Sequence, residues 1–132
     1  MTARLLQIIV GLAGLCALVL GLVIWIANID LTDIHMLFGL LVTLGLLAMS
    51  IIALTAPGLR IWGMVGIVYA IILLIFGEAQ SNMLAGNLHW LIQALHTLIG
   101  IGAIVLTGFL GARYRTLKRS EAKPEASSQA LH

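Results

Sequence analysis

The sequence predicts an all-α integral membrane protein, a four-helix bundle built from two repeated helical hairpins with both termini in the cytoplasm. Three observations predict it. Of the 132 residues, 61% are hydrophobic and only 9% charged, with a mean hydropathy of +1.13; a soluble domain of this length could not hide so much aliphatic surface in one core. The apolar residues fall into four runs, each close to the roughly 20 residues that a helix needs to cross a hydrocarbon layer. The basic residues gather at the ends and connections that such a bundle would place on one side of the membrane.

The first span runs over 5–27, with Arg4 before it and Trp25 near its far end, where an indole suits the interface. Its apolar stretch is too long for a secretory signal and no small-x-small cleavage site follows, so it reads as a retained helix. Asn28 to Asp33 is a polar turn in which Asp30, Thr32 or Asp33 can cap the second span, 34–55. Ala56-Pro57-Gly58 ends that span, because proline cannot continue a helix and glycine serves the turn. The third span covers 59–79, with Arg60 at its mouth and Trp62 as an interfacial anchor. Gln80 to Asn87 is the longest connection and carries no positive charge. The fourth span, 88–112, is followed by Arg113, Arg115, Lys118, Arg119 and Lys123. Residues 1–117 thus form the membrane domain, and 118–132, rich in Ala, Ser, Glu and Lys, read as a disordered cytoplasmic tail.

The basic residues set the orientation. Arg4, Arg60 and the C-terminal cluster share one side, and the positive-inside rule makes that side the cytoplasm of a bacterial inner membrane. The net charge of +2 therefore speaks to topology and the lipid bilayer, not to nucleic acid. The single cysteine, Cys16, lies mid-span and reads as a packing residue.

Two short patterns recur between the halves. Gly11-x-x-Gly14 in span one matches Gly63-x-x-Gly66 in span three, and the H-x-L-x-G of His35 to Gly39 matches that of His96 to Gly100. Two hairpins of the same orientation would be related by a pseudo-twofold axis along the membrane normal. Span four also carries a polar stripe, His89, Gln93, His96 and Gly100, on one helical face. Ionisable side chains inside a span are costly and mark sites.

In the repeat, His35 and His96 are equivalent and lie in the outer half of the membrane. Each is followed one turn later by a glycine, Gly39 or Gly100, where a flat macrocycle can approach the backbone. Two imidazoles can supply both axial ligands of a haem iron. Counted from the span starts, however, His35 lies one residue in and His96 eight, a mismatch of about 10 Å. His89 matches His35 better on that count and is the alternative ligand; the repeat and Gly100 favour His96. Glu78 stands at the end of span three without an assigned role.

On His35, Gly39, His96 and Gly100, the chain resembles the four-helix membrane b-type cytochromes. The resemblance implies one haem b ligated by His35 and His96. Many members of that group carry a second haem near the other face, but the inner half of this chain has no histidine to hold one. The expected role is an electron carrier, not a stand-alone enzyme, exchanging electrons with a quinone or a periplasmic redox partner, as a homodimer or as a subunit of a larger membrane complex. Three alternatives stay open: a structural or chlorophyll-type pigment-binding subunit, a small membrane transporter, and a zinc or copper site from His35, His89 and His96. A transporter of this size would use a carboxylate in its first helix, which span one lacks.

Overall fold

A computed structural model describes residues 2–83 and 86–129. Among the described residues the chain is all-helical, with α1 over Thr2–Ala27, α2 over Thr32–Leu54, α3 over Arg60–Ala79 and α4 over His89–Gln129. All four helices are long and apolar enough to cross a membrane.

The turns follow local chemistry. Asn28 takes a left-handed φ of 53° and stops α1, a conformation that asparagine tolerates better than most residues. The residue preceding α2 is Leu31, and no side chain caps that helix in the usual way. Asp30 instead accepts a hydrogen bond from the backbone N–H of Thr32 at 3.3 Å, so one first-turn donor is satisfied from two residues upstream. Ala56 is extended, as a residue before proline must be, and Pro57 opens a short 3-10 turn, Pro57–Leu59, that leads into α3. A second such turn, Gln80–Asn82, follows α3, and Gly86 with φ of 101° precedes α4.

The fourth helix is longer than its span. Where the sequence reads as a disordered tail from residue 118, α4 continues to Gln129; 130–132 lie outside the described residues. The Arg, Leu, Lys, Glu and Ala residues that follow the apolar stretch are good helix formers, so the change from apolar to charged side chains does not end the helix. Lys118 and Glu121 form an exposed pair one turn apart on this extension.

In the bundle, α2 and α4 each touch all three other helices, whereas α1 and α3 do not touch each other. The close diagonal pair is thus the pair that carries the histidines. The set of touching pairs is the one that a twofold axis between α2 and α4 would give, but the packing is unequal, because α2 packs against α1 and α3 more extensively than α4 does. The glycine match of the sequence does not share that symmetry. Gly14 on α1 packs toward Val42 and Ile104, whereas Gly66 on α3 packs toward Ser50 and Leu110, about two turns nearer the basic end. Helix-to-helix contact at a small residue needs only a missing side chain, so a glycine pair fixes depth far less strictly than a histidine pair.

The two halves of the bundle are filled differently. Near the end that holds Arg4, Arg60, Arg113 and Arg115, Val10, Leu46, Met49 and Leu110 form a core with at most 1% of each residue exposed. A Cβ at Gly45 would overlap Val10, and one at Gly66 would overlap the Ser50 hydroxyl. Gln7 ties α1 to α4 there, donating to the Gly108 carbonyl at 2.7 Å and accepting from Arg115. The opposite half contains a cavity. The outside is apolar along its length, with Ile26, Ile61, Leu98 and Val105 among the exposed side chains.

Candidate functional site

His35 lies in the first turn of α2 and its ring turns toward α1. Its Nδ1 lies 2.9 Å from the carbonyl oxygen of Ala17. A carbonyl can only accept, so Nδ1 carries a proton, and in the neutral ring the lone pair lies on Nε2. Gly21, one turn further along α1, makes room for the ring: a Cβ there would stand 3.1 Å from His35 Cε1. Gly21 and His35 are equally distant in sequence from Asn28, where the hairpin turns, and antiparallel helices bring such positions to one level.

His96 lies about two turns into α4 and faces α3. Phe76 stacks on its ring, with centroids 6.0 Å apart and planes at 12°. Gly77 lies alongside, where a Cβ would be 3.7 Å from His96 Cε1. Its Nδ1 is buried and has no hydrogen-bond partner among the described residues. The rings of His35 and His96 approach each other, with centroids 6.0 Å apart and planes at 61°. The depth mismatch expected from counting along the spans is therefore absent, because α4 sits further toward the outer end than α2 does.

Both rings line a cavity of about 600 Å³, within the range of small-molecule and cofactor sites. Its deep end is apolar, formed by Gly14, Val42 and Ile104, and its mouth carries Asp33, Glu78, Gln80 and His89. Gly39 and Gly100 both line it, and a Cβ at either would meet nothing within 4 Å. Their absent side chains leave open space on both flanks of the histidine pair. Nearby hydroxyls are satisfied on their own helices, Thr43 by the Gly39 carbonyl at 2.9 Å and Thr97 by the Gln93 carbonyl at 2.9 Å.

No protein-family model, curated protein or solved structure matches this chain. The structure brings His35, His96, Gly39 and Gly100 together and leaves His89 apart, at the rim, with its Nδ1 3.3 Å from the Met83 carbonyl. Among the described residues no group of three or more His, Cys, Asp or Glu side chains converges as a metal site, so the three-histidine zinc or copper arrangement is not assembled. Glu78 belongs to the cavity mouth and Trp25 lines the cavity. Sequence reasoning missed Ala17, Gly21, Phe76 and Gly77. Equal distance from Asn28 was a signal for Gly21; nothing in the sequence singled out Phe76, since one aromatic among aliphatic residues is ordinary packing.

The residues fit a haem on three counts. Two imidazoles bound on opposite sides of one metal, at about 2 Å per nitrogen, have centroids roughly 6 Å apart, close to the separation found here. Gly39 and Gly100 form a cradle that side chains would otherwise occupy. The Nδ1 bond of His35 to a backbone carbonyl is the outer contact that a metal-ligating histidine usually makes.

Proposed function

We propose that this chain is an integral membrane protein that holds one haem b between His35 and His96 and carries electrons between a quinone or periplasmic partner and a membrane complex. The observation that carries the reading is the approach of the two imidazoles to 6.0 Å beside glycine-lined open space. His35, fixed by Ala17, and His96, backed by Phe76, would present Nε2 as axial ligands. When bound, the group supplies a reversible one-electron couple. The chain's part is to exclude water with Val42 and Ile104, to seat the rings on Gly21 and Gly77, and to offer polar groups at the mouth.

The grouping of Arg4, Arg60, Arg113, Arg115, Lys118 and Arg119 at one end supports a cytoplasmic location for both termini in a bacterial inner membrane, with the cavity opening toward the outer face. A facing pair of imidazoles favours a two-ligand iron over a magnesium pigment, for which one suffices. The close-packed core of the inner half supports one haem per chain.

The test is the absorption spectrum of protein purified from haem-replete membranes, before and after dithionite. A Soret band with sharp reduced α and β bands of a six-coordinate haem b is expected, and either His35→Ala or His96→Ala should abolish the six-coordinate signature. A colourless protein would sink the proposal, and loss of the bands on His89→Ala alone would move the ligand to His89.

A further inference from the structure

The two imidazoles are not held alike. His35 donates its Nδ1 proton to Ala17 at 2.9 Å, and its seat is tight, since even a methyl group at Gly21 would press on the ring at 3.1 Å. His96 has neither restraint. To bind a metal through Nε2 its proton must sit on Nδ1, the atom that is enclosed without an acceptor. A Cβ at its neighbour Gly77 would stand at ordinary contact distance, 3.7 Å, so the ring is held by packing against Phe76 and Gly77 and by no hydrogen bond at Nδ1.

We infer that His96 is the displaceable ligand of the iron and that a small neutral diatomic molecule takes its place, so the cavity is a gas-binding site as well as an electron-transfer site. This rests on the haem reading. The asymmetry has a known size: removing the outer hydrogen-bond partner of a ligating histidine typically weakens metal binding by about 10–100-fold. His96 lacks that partner and His35 has it. In the exchange, the bond from His96 Nε2 to iron breaks and its electron pair stays on the neutral imidazole. The incoming molecule supplies the pair for the new bond, and no oxidation state changes. The incoming molecule is smaller than an imidazole and takes the position that Nε2 of His96 gives up, while Gly39 and Gly100 remain the seat of the macrocycle. The apolar deep wall of Val42 and Ile104 admits a neutral ligand and disfavours an ion.

The test uses the full-length haem-loaded protein, reduced with dithionite and titrated with carbon monoxide. The expected result is conversion of the six-coordinate spectrum to a carbonyl adduct with one carbon monoxide per haem. His96→Ala should keep its haem as a five-coordinate form and bind carbon monoxide at least tenfold more tightly, by the same order as the missing restraint; His35→Ala should lose most of its haem. A reduced, haem-loaded wild-type protein whose spectrum does not respond to saturating carbon monoxide overturns the inference and leaves the bis-histidine haem standing. Equal haem loss in the two variants overturns it as well. Protein that takes up no haem overturns both readings.

Discussion

The Ala17 carbonyl on α1 accepts the Nδ1 proton of His35 on α2 at 2.9 Å, which fixes the ring against α1, with Nε2 4.0 Å from where a Cβ on Gly21 would stand. That one bond links the first hairpin to the cavity. It also makes Gly21, one turn from Ala17, part of the site: Gly21→Leu should drive the ring from its seat and lower the haem-to-protein ratio of purified protein at least fivefold. An unchanged ratio would mean that His35 does not need this seat.

Gly39 and Gly100 make the complementary prediction. A Cβ at either meets nothing within 4 Å, so Gly39→Leu and Gly100→Leu should leave thermal unfolding in detergent nearly unchanged while filling the space beside the histidines. Haem content should fall in both variants. Retention of full haem with either leucine would show that the group does not lie against these glycines.

Gly66 should behave in the opposite way. Its Cβ would overlap the hydroxyl of Ser50, which is itself fully buried and bonded to the Leu46 carbonyl at 2.7 Å. Overpacking of this kind costs about 1–3 kcal/mol, so Gly66→Ala should lower the unfolding midpoint followed by circular dichroism, with the haem spectrum of the folded fraction preserved.

Gln7 joins α1 to α4 through Gly108 and Arg115. Gln7→Leu should destabilise the fold by about 1 kcal/mol, the scale of a polar contact between membrane helices. Steric denaturation assays in lipid would read this as faster separation of α1, and no change would mean that the Gln7 contacts carry no net stability.

Asp30 gives a pH dependence outside the spans. Hydrogen bonding from the Thr32 side chain, and then from its backbone N–H, holds the carboxyl below the ordinary range. A depressed value means that the stabilisation is present above the unfolded carboxylate's range and is lost as pH falls through the folded value. The difference in unfolding midpoint between wild type and Asp30→Asn should therefore be small at neutral pH and vanish in strong acid; a difference that grows on acidification would contradict the assignment.

The four helices were legible because apolar runs of bilayer length, separated by Asn28, by Pro57-Gly58 and by a polar connection, leave few other readings. The extension of α4 to Gln129 was not, because a change of polarity resembles a change of structure when the charged residues are also good helix formers. The histidine pair was legible from H-x-L-x-G in both halves. The glycine repeat misled, because glycine packs wherever two helices approach closely, and Gly14 and Gly66 do so at different depths.

By itself, then, the sequence determined four membrane-length helices, the end at which the basic residues gather, and the two histidines with a glycine one turn beyond each, since these depend on composition and helical period. Only the tertiary structure decided that His96 rather than His89 meets His35, that Gly21 and Gly77 seat the two rings, and that of this pair His35 alone, among the described residues, has an acceptor for its Nδ1 proton. Those facts depend on how far each helix is shifted along its axis against its neighbours, a quantity set by packing between helices and not by the pattern within any one of them.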